Sequence, residues 1–263
     1  MNTAPKTLEE HRDYLFSMVR LSLFFLARWQ HEHPDEDFAF ILRNRVDIFR
    51  KTDLNPEARN PVGTYFDLPQ WLELENRLRE IYHLVNGDEK LFGEWGFDLV
   101  RPHVERRCER DFYDNSSLAA YQCGFLKHNP AVNPGAPDTL GFHIANDCSP
   151  NSFFDDLPHI KDCFNRLMDV AENQFHASKL STGTWLNSVP KWLALFPAEW
   201  QENMGSPDTD VRWHYGFWGQ FINARGTFNA KNADYLRRTG KFPYYRRQSW
   251  CTVRALREHI NSL

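Results

Sequence analysis

The sequence predicts an α+β fold, in which a helical N-terminal region, residues 1–112, packs on a C-terminal mixed β-sheet, residues 113–263, containing a βαβ unit. Three observations predict it. Leu15, Met18, Val19, Leu23 and Leu26 recur at helical spacing. At Leu140, Phe142 and Ile144 the pattern changes to strict alternation with Gly141, His143 and Ala145, the period of a half-buried strand. A helical stripe of Ile160, Phe164, Leu167 and Ala171 then separates this strand from a second, Lys179–Leu186. Strand, crossover helix and strand in that order imply parallel pairing. Both regions are expected to form one compact unit.

Along the N-terminal region, Thr7 with Glu9 and Glu10 reads as an N-cap with an acidic first turn. A second helix is expected to start at Pro34-Asp35-Glu36 and run to about Arg50. Pro61 and Gly63 mark a loop. Asp67 is the expected cap of a third helix, striped by Trp71, Leu74, Leu78, Ile81 and Val85 and stopped by Asn86-Gly87. A fourth helical segment, 89–112, is expected to be interrupted at Gly93, Gly96 and Pro102.

In the second region, Leu118–Lys127 has no helical stripe and reads as a strand, joined through the turn-rich loop 129–138 to Leu140–Ala145 as a hairpin. A helix follows Pro150, with Asn151 or Ser152 as cap and Asp155 and Asp156 in its first turns. A short aromatic helix is predicted over 190–200. Trp213–Ile222 is expected to be a strand, on the alternation of Trp213, Tyr215, Phe217 and Phe221. Helices are expected at 230–238 and 253–261, with a loop at 243–247.

Composition bounds the function. Hydrophobic residues make up 41% and charged residues 25%, a balance that supports a sizeable core. Nine Trp and a 15% aromatic content suit either a bulky core or an aromatic-lined pocket. The apolar stretch 21–27 is too short to cross a bilayer, and no signal-peptide pattern precedes it, so no membrane partner is expected. The five Cys are odd in number and include no Cys-x-x-Cys pair, which argues against a disulfide framework and for a cytoplasmic location. Residues 211–263 hold eight Arg and two Lys against Asp234 and Glu258, a net +8 in a chain of net −4. An anionic partner or the acidic remainder of the chain would each answer that asymmetry. Tyr244, Tyr245, Arg246, Arg247 and Trp250 interleave base and aromatic, but one short cluster with a pI of 6.3 makes nucleic acid an unfavoured partner.

The candidate chemistry centres on the strand end. His143 points away from Leu140, Phe142 and Ile144, and strand ends in α/β sheets border ligand crevices. Such a His suits general acid–base work, with Asp147 as the residue that orients it; a structural His within the sheet is the alternative. The helix start at Ser149, Asn151 and Ser152 offers N–H groups to an anion. Trp185 and Asn187, beside Ser181, Thr182 and Thr184, are placed to line the same crevice, and Trp218 and Arg225 to add an apolar wall and a carboxylate- or phosphate-binding cation. No metal is expected. His143, Asp147 and His159 match no familiar metal-ligand spacing. Cys148 has no evident activating partner as a nucleophile. Neither a Gly-x-Ser-x-Gly elbow, a dinucleotide fingerprint nor a P-loop occurs.

The layout resembles bacterial Gcn5-related acyltransferases with a helical N-terminal domain. The residues carrying the resemblance are His143-Ile144 at a strand end, the helix that follows, Thr184-Trp185-Leu186, and Leu195-Phe196-Pro197. It spans residues 115–200. The glycine-rich pyrophosphate loop common in such enzymes is missing after Ala145, and Thr184 stands where the pattern has Ser. The resemblance implies transfer of an acyl group from a thioester, acyl-coenzyme A, to a small amine or hydroxyl. His143 would then be the base, Asp147 its orienting residue, Ser149, Asn151 and Ser152 the cofactor-binding group, and Trp185, Asn187, Trp218 and Arg225 the acceptor pocket. Two other functions are compatible with the same residues: a non-catalytic small-molecule binding protein with an aromatic pocket, and a metal-dependent hydrolase.

Overall fold

The computed structural model describes residues 6–55, 66–114 and 119–263. The expected loop at Pro61 and Gly63 lies outside them, as does the start of the strand expected from Leu118. Helix α1, Leu8–Glu32, opens with a full capping box: Thr7 accepts the Glu10 N–H, and Glu10 accepts the Thr7 N–H. Helix α2, Phe38–Asn44, is shorter than expected. Asp37 caps it, and the Trp213 N–H takes the Asn44 carbonyl that a further turn would use; only a 3₁₀ turn, Phe49–Lys51, follows. Helix α3, Pro69–Leu84, starts at Leu68 without a side-chain cap, in place of the expected cap at Asp67, because Pro69 presets the first turn.

Helix α4, Glu89–Tyr113, runs unbroken through Gly93, Gly96 and Pro102. Its packing along α1 overrides local propensity. Gly96 is part of the reason: a Cβ there would lie 3.3 Å from Leu78 and 3.4 Å from Leu23, so its absence lets α4 approach closely.

The strand expected over 118–127 contracts to β1, Leu126–His128. A tight Cys123–Leu126 turn precedes it, with Gly124 at φ +63°. Strand β2, Thr139–Ile144, pairs antiparallel with β1, placing His143 opposite Lys127. Ser152 caps only a 3₁₀ turn, Phe153–Asp155; helix α5, Leu157–Asn173, is capped by Asp156. Strand β3, Lys179–Thr184, runs parallel to β2, so the predicted βαβ unit is present.

The helix expected over 190–200 is two short pieces, α6 (Pro190–Leu193) and α7 (Ala198–Glu202), separated around Pro197. The strand expected over 213–222 is instead helix α8, Tyr215–Trp218, followed by a 3₁₀ turn to Phe221. Phe217, Trp218, Gln220 and Phe221 are all buried, so no solvent-facing side exists for an alternating strand. Helix α9, Ala230–Thr239, ends at Gly240 in the left-handed region. Strand β4, Arg247–Thr252, was not expected. Its buried face is Ser249 and Cys251, too small and polar to register as a hydrophobic alternation. Helix α10, Val253–Ser262, completes the described chain.

The sheet order is β1-β2-β3-β4, with β3 and β4 antiparallel. The core falls into two clusters. One joins α1–α4 to residues 211–242 through Phe25, Trp218, Phe221 and Phe242. The other lies between the sheet and helices α5 and α10, around Phe142, Phe164, Leu180 and Leu256. No described helix is long and apolar enough to cross a membrane.

Candidate functional site

The site begins with a change in strand pairing. Strands β2 and β3 pair only at Thr139–Lys179, Leu140–Leu180 and Gly141–Ser181. Beyond Gly141 and Ser181 each continues for three more residues, to Ile144 and Thr184, without pairing with the other. Alternation turns Leu140 and Phe142 into the core and leaves Gly141 and His143 on the opposite face.

His143 is exposed at this parting edge. Its Nε2 lies 2.8 Å from Asn129 Oδ1, an acceptor, so Nε2 carries the proton and Nδ1 keeps its lone pair. Partial burial, helped by the Lys127 ammonium, lowers its pKa below the ordinary imidazole value. The ring is therefore neutral at neutral pH. Gly141 makes room for this pair: a Cβ there would meet Asn129 Nδ2 at 2.4 Å.

Across the parting, the start of α8 abuts β3. A Cβ on Gly216 would lie 3.3 Å from the Gly183 carbonyl oxygen. His214 caps α8, its Nδ1 accepting the Gly216 N–H at 3.2 Å, which leaves the proton on Nε2. Its pKa is pushed down to about 4, chiefly by burial and then by the Arg246 guanidinium; the charge of His143 also contributes. A Cβ on Gly183 would meet Arg246 Nη2 at 2.1 Å and Gln248 Oε1 at 2.5 Å, so glycine there lets both side chains lie over the strand. Arg246 is held by Asp208 at 3.0 Å.

The predicted residues are distributed more widely than expected. Asp147 does not reach His143. Its carboxylate binds His159 Nε2 at 3.0 Å, and Asn129 is the residue that orients His143. Ser149, Asn151 and Ser152 lie in the loop before α5, where Ser152 caps Phe154 and the Asn151 carbonyl accepts from Asn146. Asp156, capping His159, and neighbouring Asp155 already place carboxylates at the start of α5. That helix end is negative and capped, and it does not fit a diphosphate.

Trp185 stays at the end of β3, half-buried beside Tyr244 and Gly219. Asn187 is instead a buried node. It donates to the carbonyls of Thr182 and Arg247 and accepts from the indoles of Trp192 and Trp200. Trp218 is a core residue, 1% exposed, donating to the Arg45 carbonyl. Arg225 binds both Glu10 carboxylate oxygens, at 2.8 and 2.7 Å. The expected acceptor pocket of Trp185, Asn187, Trp218 and Arg225 is therefore not assembled.

Part of the basic C-terminal segment meets acids elsewhere in the chain. Arg225 pairs with Glu10, Arg246 with Asp208, and Arg257 with Asp169 and Glu172. The loop expected over 243–247 gives way to β4 at Arg247, so residues 247–250 of the basic–aromatic run lie in that strand, with Lys179 over the Trp250 ring.

Sequence reasoning missed Asn129 and His214. Asn129 sat in a turn-rich loop where an Asn is ordinary. His214 lay in a segment read as a strand, and its position beside β3 depends on a contact with no sequence signature. Two clefts on the helical half, one lined by Leu8, Arg12, Glu105 and Cys108 and the other by Glu10, Tyr14 and Thr227, lie apart from both histidines. In comparison with known proteins, no family model, curated protein or solved structure matches this chain.

Proposed function

We propose that the chain transfers an acyl group from a thioester, with acyl-coenzyme A as the expected donor, to a small amine or hydroxyl. The observation that carries the reading is the parting of β2 and β3, with neutral His143 on one side and the neutral His214 turn on the other. The edges that β2 and β3 leave unpaired toward each other beyond Gly141 and Ser181 offer backbone groups to an extended amide-bearing arm, as a sheet edge does to a peptide.

In this reading the acceptor's N–H or O–H attacks the thioester carbonyl carbon. His143 Nδ1 takes the acceptor's proton, a role that its lone pair and lowered pKa suit. His214 Nε2–H donates to the carbonyl oxygen as negative charge builds there. The C–S bond then breaks, and the thiol leaves with the proton returned to sulfur. Any diphosphate on the donor is held elsewhere than at the start of α5.

Turnover is read as thiol release from a panel of acyl-coenzyme A and acyl-pantetheine thioesters, each with a set of small amines and alcohols. His143→Ala is expected to lower kcat by roughly 10²–10⁴-fold, the usual worth of a positioned base. Unchanged turnover in that variant removes His143 as the base. If no thioester stabilises the protein on heating and none is turned over, the acyltransferase reading is wrong.

A further inference from the structure

A second cluster of ligating side chains lies beyond the end of β2, apart from His143 and His214. Asp147 and Cys148 come from the loop after β2. His159 and Cys163 come from the first two turns of α5, four residues apart and so on one face of the helix. One ligating atom each of Asp147, Cys148 and His159 lie within 4.8 Å of one another.

The contacts form a chain of short edges. His159 Nε2 is 3.0 Å from Asp147 Oδ2, Cys148 Sγ is 3.4 Å from Asp147 Oδ1, and Cys163 Sγ is 3.5 Å from His159 Nε2. Zn–N and Zn–O bonds of about 2.0–2.2 Å and Zn–S bonds of about 2.3 Å put the edges of a tetrahedron at roughly 3.3–3.8 Å. The His159–Asp147 and Asp147–Cys148 edges therefore already stand near tetrahedral separation. Gly124 clears the space: a Cβ there would fall 2.3 Å from Cys163 Sγ, 3.3 Å from Asp147 Oδ2 and 3.3 Å from His159 Cε1. None of the four side chains has a role in the proposed acyl transfer.

We infer that Asp147, Cys148 and His159 form a binding site for one divalent transition-metal ion, zinc in character. A thiolate and an imidazole select zinc over calcium or magnesium. Three protein donors hold the ion and leave one position of a tetrahedron open. The ion clamps the loop after β2 to the start of α5, beyond the end of the strand that carries His143.

Cobalt(II) titration of the purified, chelator-treated full chain tests this. One equivalent is expected to give a thiolate-to-cobalt charge-transfer band in the near ultraviolet and the intense visible bands of a tetrahedral ion, both displaced by zinc. Cys148→Ser is expected to weaken cobalt binding by more than about tenfold and to abolish the charge-transfer band, and Asp147→Asn to weaken binding while keeping the band. Cys148 is partly accessible, so its serine variant is expected to fold. Absence of the charge-transfer band in the wild-type chain, or an unchanged band and affinity in Cys148→Ser, overturns the site. Neither outcome depends on acyl transfer.

Discussion

At the scale of single residues, the two histidines differ in what their environments do to them. His143 is exposed and oriented by one amide; His214 is more deeply set, beside a guanidinium. A His whose folded pKa lies below its unfolded value binds protons more readily when unfolded. Its contribution is therefore fully present above the unfolded value, near 6.5, and is lost as pH falls toward about 4. His214→Gln is expected to flatten this part of the stability–pH profile by roughly 2 kcal/mol, after allowance for partial solvent screening. Urea unfolding of both proteins between those pH values measures it. Parallel wild-type and variant profiles would mean that His214 is not buried as described. In the proposed reaction both imidazoles must be neutral, so activity should fall on acidification through the lowered pKa of His143.

At the scale of elements, the turn before β1 shows why a strand predicted from residue types alone was too long. Leu118–Lys127 lacks a helical stripe, which leaves strand as the local default. Gly124 instead takes a positive φ, and Cys163 packs where its side chain would be. Gly124→Ala combines left-handed strain with overpacking against a fully buried side chain, and is expected to destabilise the fold by about 2–4 kcal/mol. A shift in the urea midpoint with unchanged m-value is the readout. A shift worth under about 0.5 kcal/mol would show that the turn yields without cost. Strand β4 went unseen for the opposite reason. Its Ser249 and Cys251 fill a tightly packed interior where bulk is not wanted, so the periodic signal never arises. Strand β2 was legible because Leu140 and Phe142 do supply bulk on one side only.

At the scale of the whole molecule, residues 211–242 come from the C-terminal half but pack into the N-terminal helical core. Trp218 is the joint. It meets Phe25 and Phe242 edge-on, and its indole N–H reaches the Arg45 carbonyl. Trp218→Ala is expected to cost about 3–5 kcal/mol, read by thermal or urea unfolding. A loss below about 1 kcal/mol would mean that this segment does not dock as described. The same docking carries His214 to the edge of β3. Part of the candidate site is thus supplied by a segment whose own core lies on the other half of the molecule.

Legible along the chain were the stripes of α1, α3 and α5, the N-cap at Thr7, strand β2, and the βαβ order that makes β2 and β3 parallel. Each rests on residues a few positions apart, where helical and strand periods operate. Only the tertiary structure decided the partners. Asn129, 14 residues away, rather than Asp147 orients His143; Asp147 turns to His159; Arg225 pairs with Glu10 across 215 residues; Asn187 and Trp218 leave the expected pocket for the core. Hydrogen bonds and ion pairs are chosen by distance in space, and a single sequence encodes distance only along the chain.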